Sequence, residues 1–335
     1  KGSLNTFLNA MTYPDKTCYP VASCNDQDFQ NLMHVYLDAV FYPNICKKEE
    51  IFRQEGWSYQ LEDTEGPLKY NGVVYNEMKG AFSSPDEVLE REIMNSLFPD
   101  TPYGCESGGD PNHIPELSYE EFLQFHKTYY HPSNSYIYLY GNMDMAEKLE
   151  FIDEHYLSAF EKLEVDSDLP LQPAFTERKE LQLEYPVSES ENEEGNAYLA
   201  YSTVVGDASD ELTAMAFEVL DYALLSAPGA PLKQALLDAQ IGMDVYGSYD
   251  DGILQPYFDI VAKGTDPDKK EKFVEIIRTT LEDIVKNGID KKALKAGINY
   301  MEFRYREADF SAWPKGLMYG LDIFGSWLYS DEKAF

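Results

Sequence analysis

The stretch of sequence that decides the fold is Asn71-Gly72-Val73-Val74-Tyr75-Asn76-Glu77-Met78-Lys79-Gly80. It places one acidic side chain, Glu77, among apolar, amide and basic neighbours. A glutamate beside Asn76 and Lys79 is usually an exposed surface carboxylate. Zinc also binds carboxylate oxygens, together with histidine nitrogens and cysteine sulfurs. The residues of the stretch therefore leave two interpretations of Glu77 open, a surface charge and a metal ligand.

Other motifs stand on both sides of this stretch. They are Ser3-Leu4-Asn5-Thr6-Phe7-Leu8-Asn9-Ala10-Met11-Thr12, Gln54-Glu55-Gly56-Trp57, Ser107-Gly108-Gly109-Asp110-Pro111, Ile114-Pro115-Glu116-Leu117 and Tyr130-His131-Pro132-Ser133-Asn134. In this order they resemble the presequence protease branch of the pitrilysin/insulinase family of zinc metallopeptidases. The resemblance covers residues 1 to about 160, and it continues more weakly from about 180, through Pro228-Gly229-Ala230-Pro231-Leu232 and Gly242-Met243-Asp244.

The resemblance implies a zinc site to which this chain contributes one residue. In the family, an H-x-x-E-H motif supplies two histidine ligands and a general base, and a downstream glutamate completes the site. The matching position makes Glu77 the third zinc ligand. The chain contains no H-x-x-E-H, so we expect no catalytic residue in it. Zinc is then the cofactor of the complete parent protein, in which zinc-bound water attacks the peptide bond, and this chain alone is expected to be metal-free and inactive.

The resemblance also implies a substrate-binding edge at Asn9, Ala10 and Met11. In the family, the matching segment is an edge strand whose backbone pairs with the extended substrate, an example of strand addition. Backbone pairing accepts many unstructured peptides, which are the expected substrates. A C-terminal half of similar fold is the expected partner and closes a chamber over this half. An ordinary sheet strand remains the alternative interpretation of the segment.

A second function is also open, because some members of the family lack the zinc motif and serve as scaffolds. Such a subunit binds peptides or partner proteins without catalysis. An isolated ligand at Glu77 argues against this alternative. The missing H-x-x-E-H supports it only if the chain is complete, and we expect that Lys1 is not the natural start.

Composition limits the classes of partner and the number of domains. A chain of 335 residues with 44% apolar residues can form two cores of ordinary size, about 100 to 200 residues each. The net charge of −33 disfavours nucleic acids and anionic membranes. A solvated surface that keeps the protein soluble is the main explanation of this charge, and attraction of cationic peptides is the alternative. No apolar run of about 18 residues occurs, and residues 1–20 lack the basic, apolar and small-residue sections of a signal peptide. Four cysteines without a C-x-x-C pair indicate a reducing compartment, the cytoplasm or an organelle matrix.

The predicted fold class is α+β, with two duplicated domains that each contain an antiparallel sheet covered by helices. Prolines and lost periodicity place a linker at 166–180, between a first domain at 1–165, truncated at its N-terminus, and a second at 181–335 that could continue beyond it. The duplication is supported by a shared order of features. A helix from Asp26 to Val40 and an aromatic helix through Trp57 and Tyr59 correspond to helices after Asp268 and Lys291.

Local signals predict several further elements. Capping motifs start helices at Ser84, which extends to about Leu97, and at Ser118. Strands are predicted at Ser135–Tyr140 and Tyr198–Val205. An acidic run is predicted to form an exposed loop (Glu189, Glu191, Glu193 and Glu194), and a set of apolar residues is predicted to form a buried helical face (Leu212, Met215, Ala216, Val219, Leu220 and Ala223).

The histidines are not expected to bind zinc. None of the five has a second histidine four residues away, the spacing that brings two imidazoles onto one helix face. Each lies in an aromatic helix or a turn, where packing offers a structural role; the five are His34, His113, His126, His131 and His155.

Overall fold

The computed structural model describes residues 6–188, 194–307 and 310–330. The predicted acidic loop falls mostly outside these residues, and only Glu194, in a turn, is described. The chain divides into two compact units, one formed by residues up to 91 together with 100–170, and one by 92–99 together with 171 onward. Both combine helices with small antiparallel sheets, which confirms the α+β fold class.

The first unit contains short two-stranded ladders and most of the N-terminal helices. Its strands are β1 (Phe7–Leu8), β2 (Met11–Thr12), β3 (Thr17–Cys18), β4 (Val21–Ala22), β5 (Ser58–Gln60) and β6 (Lys69–Asn71). β1 pairs with β4, β2 with β3, and β5 with β6, all antiparallel. The helices up to residue 152 are α1 (Asp26–Phe41), α2 (Glu49–Glu55), α3 (Val73–Ala81), α4 (Pro85–Leu97), α5 (Tyr119–Tyr129) and α6 (Met145–Ile152).

Capping residues start several of these helices. The Asn25 side chain accepts a hydrogen bond from the amide of Asp28 at the start of α1. At the start of α5, the Ser118 hydroxyl accepts from the Glu121 amide, and the Glu121 carboxylate accepts from the Ser118 amide. These bonds satisfy amides that have no partner within the helix. The predicted helices after Asp26, Ser84 and Ser118 are confirmed as α1, α4 and α5.

Aromatic rings fill much of the core of the first unit. Phe52 is almost fully buried, and its ring centroid lies 5.6 Å from that of Tyr119 and 5.4 Å from that of Phe122. Tyr156, also buried, hydrogen-bonds to the ring and the backbone carbonyl of His34. Ring packing therefore holds α2 against α5, and Tyr156 ties the segment after α6 to α1.

The second unit is built on a three-stranded antiparallel sheet in the order β7-β9-β8. Its strands are β7 (Ala197–Val204), β8 (Asp244–Asp250) and β9 (Tyr257–Thr265). Its helices are α7 (Glu211–Asp221), α8 (Pro231–Asp238), α9 (Lys270–Asn287), α10 (Lys291–Glu307) and α11 (Lys315–Trp327). The central strand β9 is largely buried and joins residues of the helices in one apolar core, which includes Leu225, Leu232, Leu236, Phe273 and Ile277.

Three of the local predictions are wrong. The helix expected through Trp57 and Tyr59 ends at Glu55, and Tyr59 lies in β5, because Gly56 stops the helix and β6 supplies a pairing partner. Residues 135–140 belong to no ladder among the described residues, and a strand needs a neighbour to satisfy its backbone. Leu212 and Met215 are exposed, since α7 packs through its C-terminal part and the π-helical turn Tyr222–Ser226.

The predicted strand at Tyr198–Val205 is confirmed as β7. Helices follow Asp268 and begin at Lys291 as predicted, although α10 has 17 residues and its counterpart α2 has 7. Within the described part of the chain, no helix has both the length and the apolar composition needed to span a membrane.

Candidate functional site

Glu77 lies on an exposed face of α3, in the first unit. Its side chain makes no hydrogen bond or ion pair with the residues that the structure describes. The preceding turn of the same face carries Val73 and Val74, which are also exposed, and no heavy atom lies within 4 Å of the position that a Cβ would take at Gly80. This face of α3 is therefore open to another group.

The start of α3 is held by a close backbone contact. Gly72 is buried, and a Cβ at this position would lie 2.2 Å from the carbonyl oxygen of Gly56. The Gly56 carbonyl also accepts a hydrogen bond from the amide of Tyr75, at 3.3 Å. A second bond, 2.8 Å long, joins the side-chain amide of Asn76 to the Asn71 side chain. These contacts fix the helix that carries Glu77 against the end of α2.

Another side of α3 packs against a glycine of the Ser107-Gly108-Gly109-Asp110-Pro111 motif. A Cβ at Gly108 would lie 2.4 Å from the sulfur of Met78, the residue that follows Glu77. The next residue, Gly109, has a φ of +93°, a conformation that favours glycine. The pair Gly108-Gly109 therefore makes room for Met78 and positions α3. The two adjacent glycines were the only sequence signal for this contact.

The segment predicted to bind substrate forms one side of an antiparallel ladder. Phe7 and Leu8 pair with Ala22 and Val21, and Met11 and Thr12 pair with Cys18 and Thr17. Between the two short strands, the amide of Asn9 donates to the carbonyl of Pro20 at 3.1 Å. Asn9 and Ala10 are exposed and Met11 is half-buried.

The other edge of this segment pairs with no strand among residues 6–188, 194–307 and 310–330. No hydrogen bond between described residues joins Glu77 to Asn9, Ala10 or Met11. Both features belong to the first unit. The role of the segment in substrate binding stays a prediction.

All five histidines have partners within the fold. The ring of His126 donates to the carbonyl of Val40 at 3.0 Å, and that of His155 donates to the carbonyl of Phe151 at 3.2 Å. The ring of His131 accepts from the amide of Ser133, and His34 is bonded to Tyr156. A hydrogen bond to the Glu116 carboxylate raises the pKa of His113 above its usual value. These contacts give each ring a structural role.

The described residues do not form a zinc site by themselves. They contain no group of three or more histidine, cysteine, aspartate or glutamate side chains that could hold a metal ion. A catalytic zinc needs three protein ligands, and Glu77 offers one carboxylate. Zinc binding through Glu77 would require ligands from outside the described residues.

A cluster of carboxylates in the second unit has no counterpart in the sequence predictions. Burial raises the pKa of Glu218, on α7, to about 7, and the charges of Asp251 and Asp322 add to the effect, while that of Arg304 opposes it. Burial also raises the pKa of Asp322 and Asp221. The sequence signal for such a cluster is weak, because the residues come from α7, α10, α11 and the segment after β8.

Comparison with known proteins identifies the family. A family model described as the Peptidase M16 inactive domain matches residues 116–301. The chain is 54% identical over 332 residues to Protein HypA of Clostridium perfringens, covering 99% of this chain and 34% of that protein. It is 41% identical over 333 residues to Presequence protease 1, chloroplastic/mitochondrial, of Arabidopsis thaliana, covering 98% of this chain and 31% of that protein. The chain thus spans about a third of the length of these curated relatives.

Solved structures show the same fold. A putative M16-like peptidase from Alicyclobacillus acidocaldarius aligns with a TM-score of 0.67 at 18% identity, over 99% of this chain and 73% of that chain. Pitrilysin aligns with a TM-score of 0.63 at 16% identity, over 96% of this chain and 33% of that chain. The family model covers more than half of the chain, and the resemblance to presequence proteases is confirmed. The chain therefore belongs to the M16 peptidase family.

Proposed function

We propose that this chain is part of a zinc metalloendopeptidase that degrades unstructured peptides, and that Glu77 supplies one of the metal ligands. The proposal rests on the accessibility of the Glu77 carboxylate. It is exposed and has no hydrogen-bond or ion-pair partner among the described residues, on a helix fixed by Gly72 and Gly108. A ligand on a rigid helix keeps its position when a metal binds, which lowers the entropic cost of binding.

The remaining parts of the site would come from other segments of a longer protein. Two histidines and a glutamate base are needed beside Glu77. The chain spans about a third of its curated relatives, so a longer protein has room for these residues. When bound, zinc would polarise the peptide carbonyl and activate water. The contribution of this chain is to hold one carboxylate at a fixed place beside the substrate.

Substrate would bind along the edge of residues 9–11, which pairs with no strand of the described residues. The backbone groups on this edge can pair with an extended peptide as a further strand. Such pairing recognises a peptide through its backbone and not through its side chains. It therefore suits unfolded peptides of many sequences. A C-terminal half of the parent protein would close over this surface and exclude folded proteins by size. The net charge of −33 favours peptides that carry positive charge.

The test uses the full-length protein with Glu77→Gln. This change keeps the size of the side chain and removes its negative charge. We expect zinc content to fall and hydrolysis of an unstructured fluorogenic peptide to decrease by about a hundredfold or more. Glu150→Gln is the matched control, because Glu150 is an exposed carboxylate on α6. Unchanged zinc content and activity in the Glu77→Gln protein would remove Glu77 from the site.

A non-catalytic subunit that binds peptides or acts as a scaffold is the second candidate function. It is favoured by one observation, since the matching family model is described as an inactive domain. The same experiment decides between the two functions. A full-length wild-type protein that binds peptide but neither holds zinc nor cleaves the peptide would establish the scaffold.

A further inference from the structure

The hairpin of β5 and β6 carries apolar side chains that face solvent. Tyr59 is 61% exposed, Leu61 49%, Leu68 63% and Tyr70 45%. We call these four residues the hairpin stripe. Soluble proteins expose single apolar residues often, but adjacent ones on one element mark binding surfaces. The stripe was missed by sequence reasoning, which predicted a helix through Tyr59.

The strand register brings the two tyrosines of the stripe together. Tyr59 lies directly opposite Tyr70, and their ring centroids are 5.4 Å apart at an interplanar angle of 29°. The neighbouring pairs, Ser58 with Asn71 and Gln60 with Lys69, are polar. Since side chains alternate between the faces of a strand, the hairpin has an aromatic face and a polar face.

The ring of Trp57 packs against both tyrosines of the aromatic face. Its ring lies edge-on to Tyr59 at 5.6 Å and to Tyr70 at 5.9 Å. The indole Nε1 donates to the carbonyl of Leu117 at 2.9 Å, and the Arg53 guanidinium lies 5.4 Å from the ring. These contacts hold the two tyrosine rings in place before any ligand binds, and preorganised rings lose little entropy on binding.

The hairpin stripe continues into the helix that carries Glu77. Tyr70 contacts Tyr75 of α3 edge-on, with ring centroids 5.8 Å apart. Tyr75 precedes Glu77 by two residues, and the exposed Val73 lies one turn before Glu77. The close approach of Gly72 to Gly56 fixes the junction between hairpin and helix. A peptide that reaches Glu77 is therefore within reach of the stripe.

We propose that the hairpin stripe binds an aromatic or large aliphatic side chain of the peptide substrate, an inference that rests on the proposed function. Tyrosine pairs suit a surface that is wet when no ligand is present, because their hydroxyls can bond to water. The hydroxyls of Tyr59 and Tyr70 also hydrogen-bond to each other. Glu62, Asp63 and Glu65 at the hairpin turn add negative charge, so the peptide that binds is not acidic.

The test compares substrate selectivity in the full-length protein. The substrates are pairs of unstructured fluorogenic peptides. The two members of a pair differ only at one position, which is Phe in one peptide and Ser in the other. Each pair places this position at a different point along the peptide. We expect the double variant Tyr59→Ala and Tyr70→Ala to reduce the Phe-to-Ser ratio of kcat/KM by about tenfold at one position. Zinc content should stay unchanged. Tyr59→Phe with Tyr70→Phe should keep the ratio, because it keeps both rings.

Phe303→Ala is the matched control, because Phe303 of α10 is an aromatic residue with 63% exposure. It should leave the ratio unchanged. An unaltered ratio at every position in the double alanine variant would overturn the proposal.

The failure of this inference can be told apart from failure of the proposed function by measuring binding in the Glu77→Gln protein. The Kd of the Phe peptide should be about tenfold lower than that of the Ser peptide, and the alanine variant should remove the difference. This difference would support the stripe even in a protein that cleaves neither peptide. Equal Kd values for the two peptides at all positions would overturn it.

Discussion

The sulfur of Met78 occupies the space that a side chain at residue 108 would need, since a Cβ built on Gly108 lies 2.4 Å from it. Real Cβ atoms do not approach a neighbour so closely, so any side chain at residue 108 would force Met78 to move. Met78 is next to Glu77 on α3, and through it a loop about 30 residues further along the chain sets the position of the candidate ligand.

Gly108→Ala should displace Met78 and destabilise the protein by about 1 to 2 kcal/mol. The methionine side chain is flexible, which limits the cost. Urea unfolding of the full-length protein measures the change. In a Met78→Ala background the same substitution should cost less, because the clashing atoms are gone. Equal costs in the two backgrounds would show that the contact does not couple the loop to α3.

Ser118→Ala should remove the hydroxyl cap of α5 and lower the free energy of unfolding by about 1 kcal/mol. Ser118→Asp restores a capping oxygen and serves as the control, with a stability close to that of the wild type. The Ser118 hydroxyl also donates to the Glu121 carboxylate at 2.7 Å.

The Ser118→Ala substitution should also change the pKa of Glu121. Hydrogen bonds from the backbone and side chain of Ser118 lower the pKa of Glu121. In Ser118→Ala that pKa should rise toward its usual range, which NMR titration can follow. An unchanged stability together with an unchanged pKa would contradict the capping role.

Glu218→Gln should change how stability depends on pH. The pKa of Glu218 is raised from 4.5 to about 7 in the folded protein, by burial and by Asp251 and Asp322. The unfolded chain therefore ionises this group first, and the folded state loses stability as the pH rises from about 4.5 through about 7. The variant lacks this loss and should be more stable above pH 7 by about 1 to 2 kcal/mol, because solvent screens part of the effect at this half-buried position.

Urea unfolding over a series of pH values checks this expectation. Glu275→Gln, at an exposed position of α9, is the control and should keep the pH profile of the wild type. The profile of Glu218→Gln should be flatter but not level, because the raised pKa values of Asp221 and Asp322 remain. Identical profiles for all three proteins would show that Glu218 is not protonated in the folded state near neutral pH.

Predictions that depended on neighbouring residues in sequence agree well with the structure. The helices after Asp26, Ser84 and Ser118 start where capping side chains and apolar periodicity placed them. Predictions that depended on contacts between residues distant in sequence were less accurate. Tyr59 became part of a strand because Tyr70 pairs with it, and Leu212 lies outside the core because α7 packs through its later turns.

The candidate site was predictable only in part. The motif around Glu77 indicated the protein family. It did not predict the contacts of Gly72 and Gly108 that hold α3 in place. The hairpin stripe was hidden for the same reason. Its residues come from β5, β6 and the segment that connects them, and the register of the hairpin decides which side chains meet.

The sequence by itself determined the family, the fold class and the starts of the main helices, because motifs and capping residues act within a few positions of one another. The tertiary structure alone decided the open face around Glu77, the fit of Met78 to Gly108 and the pairing of Tyr59 with Tyr70. These features depend on atoms brought together from distant parts of the chain, and packing in three dimensions determines which of them meet.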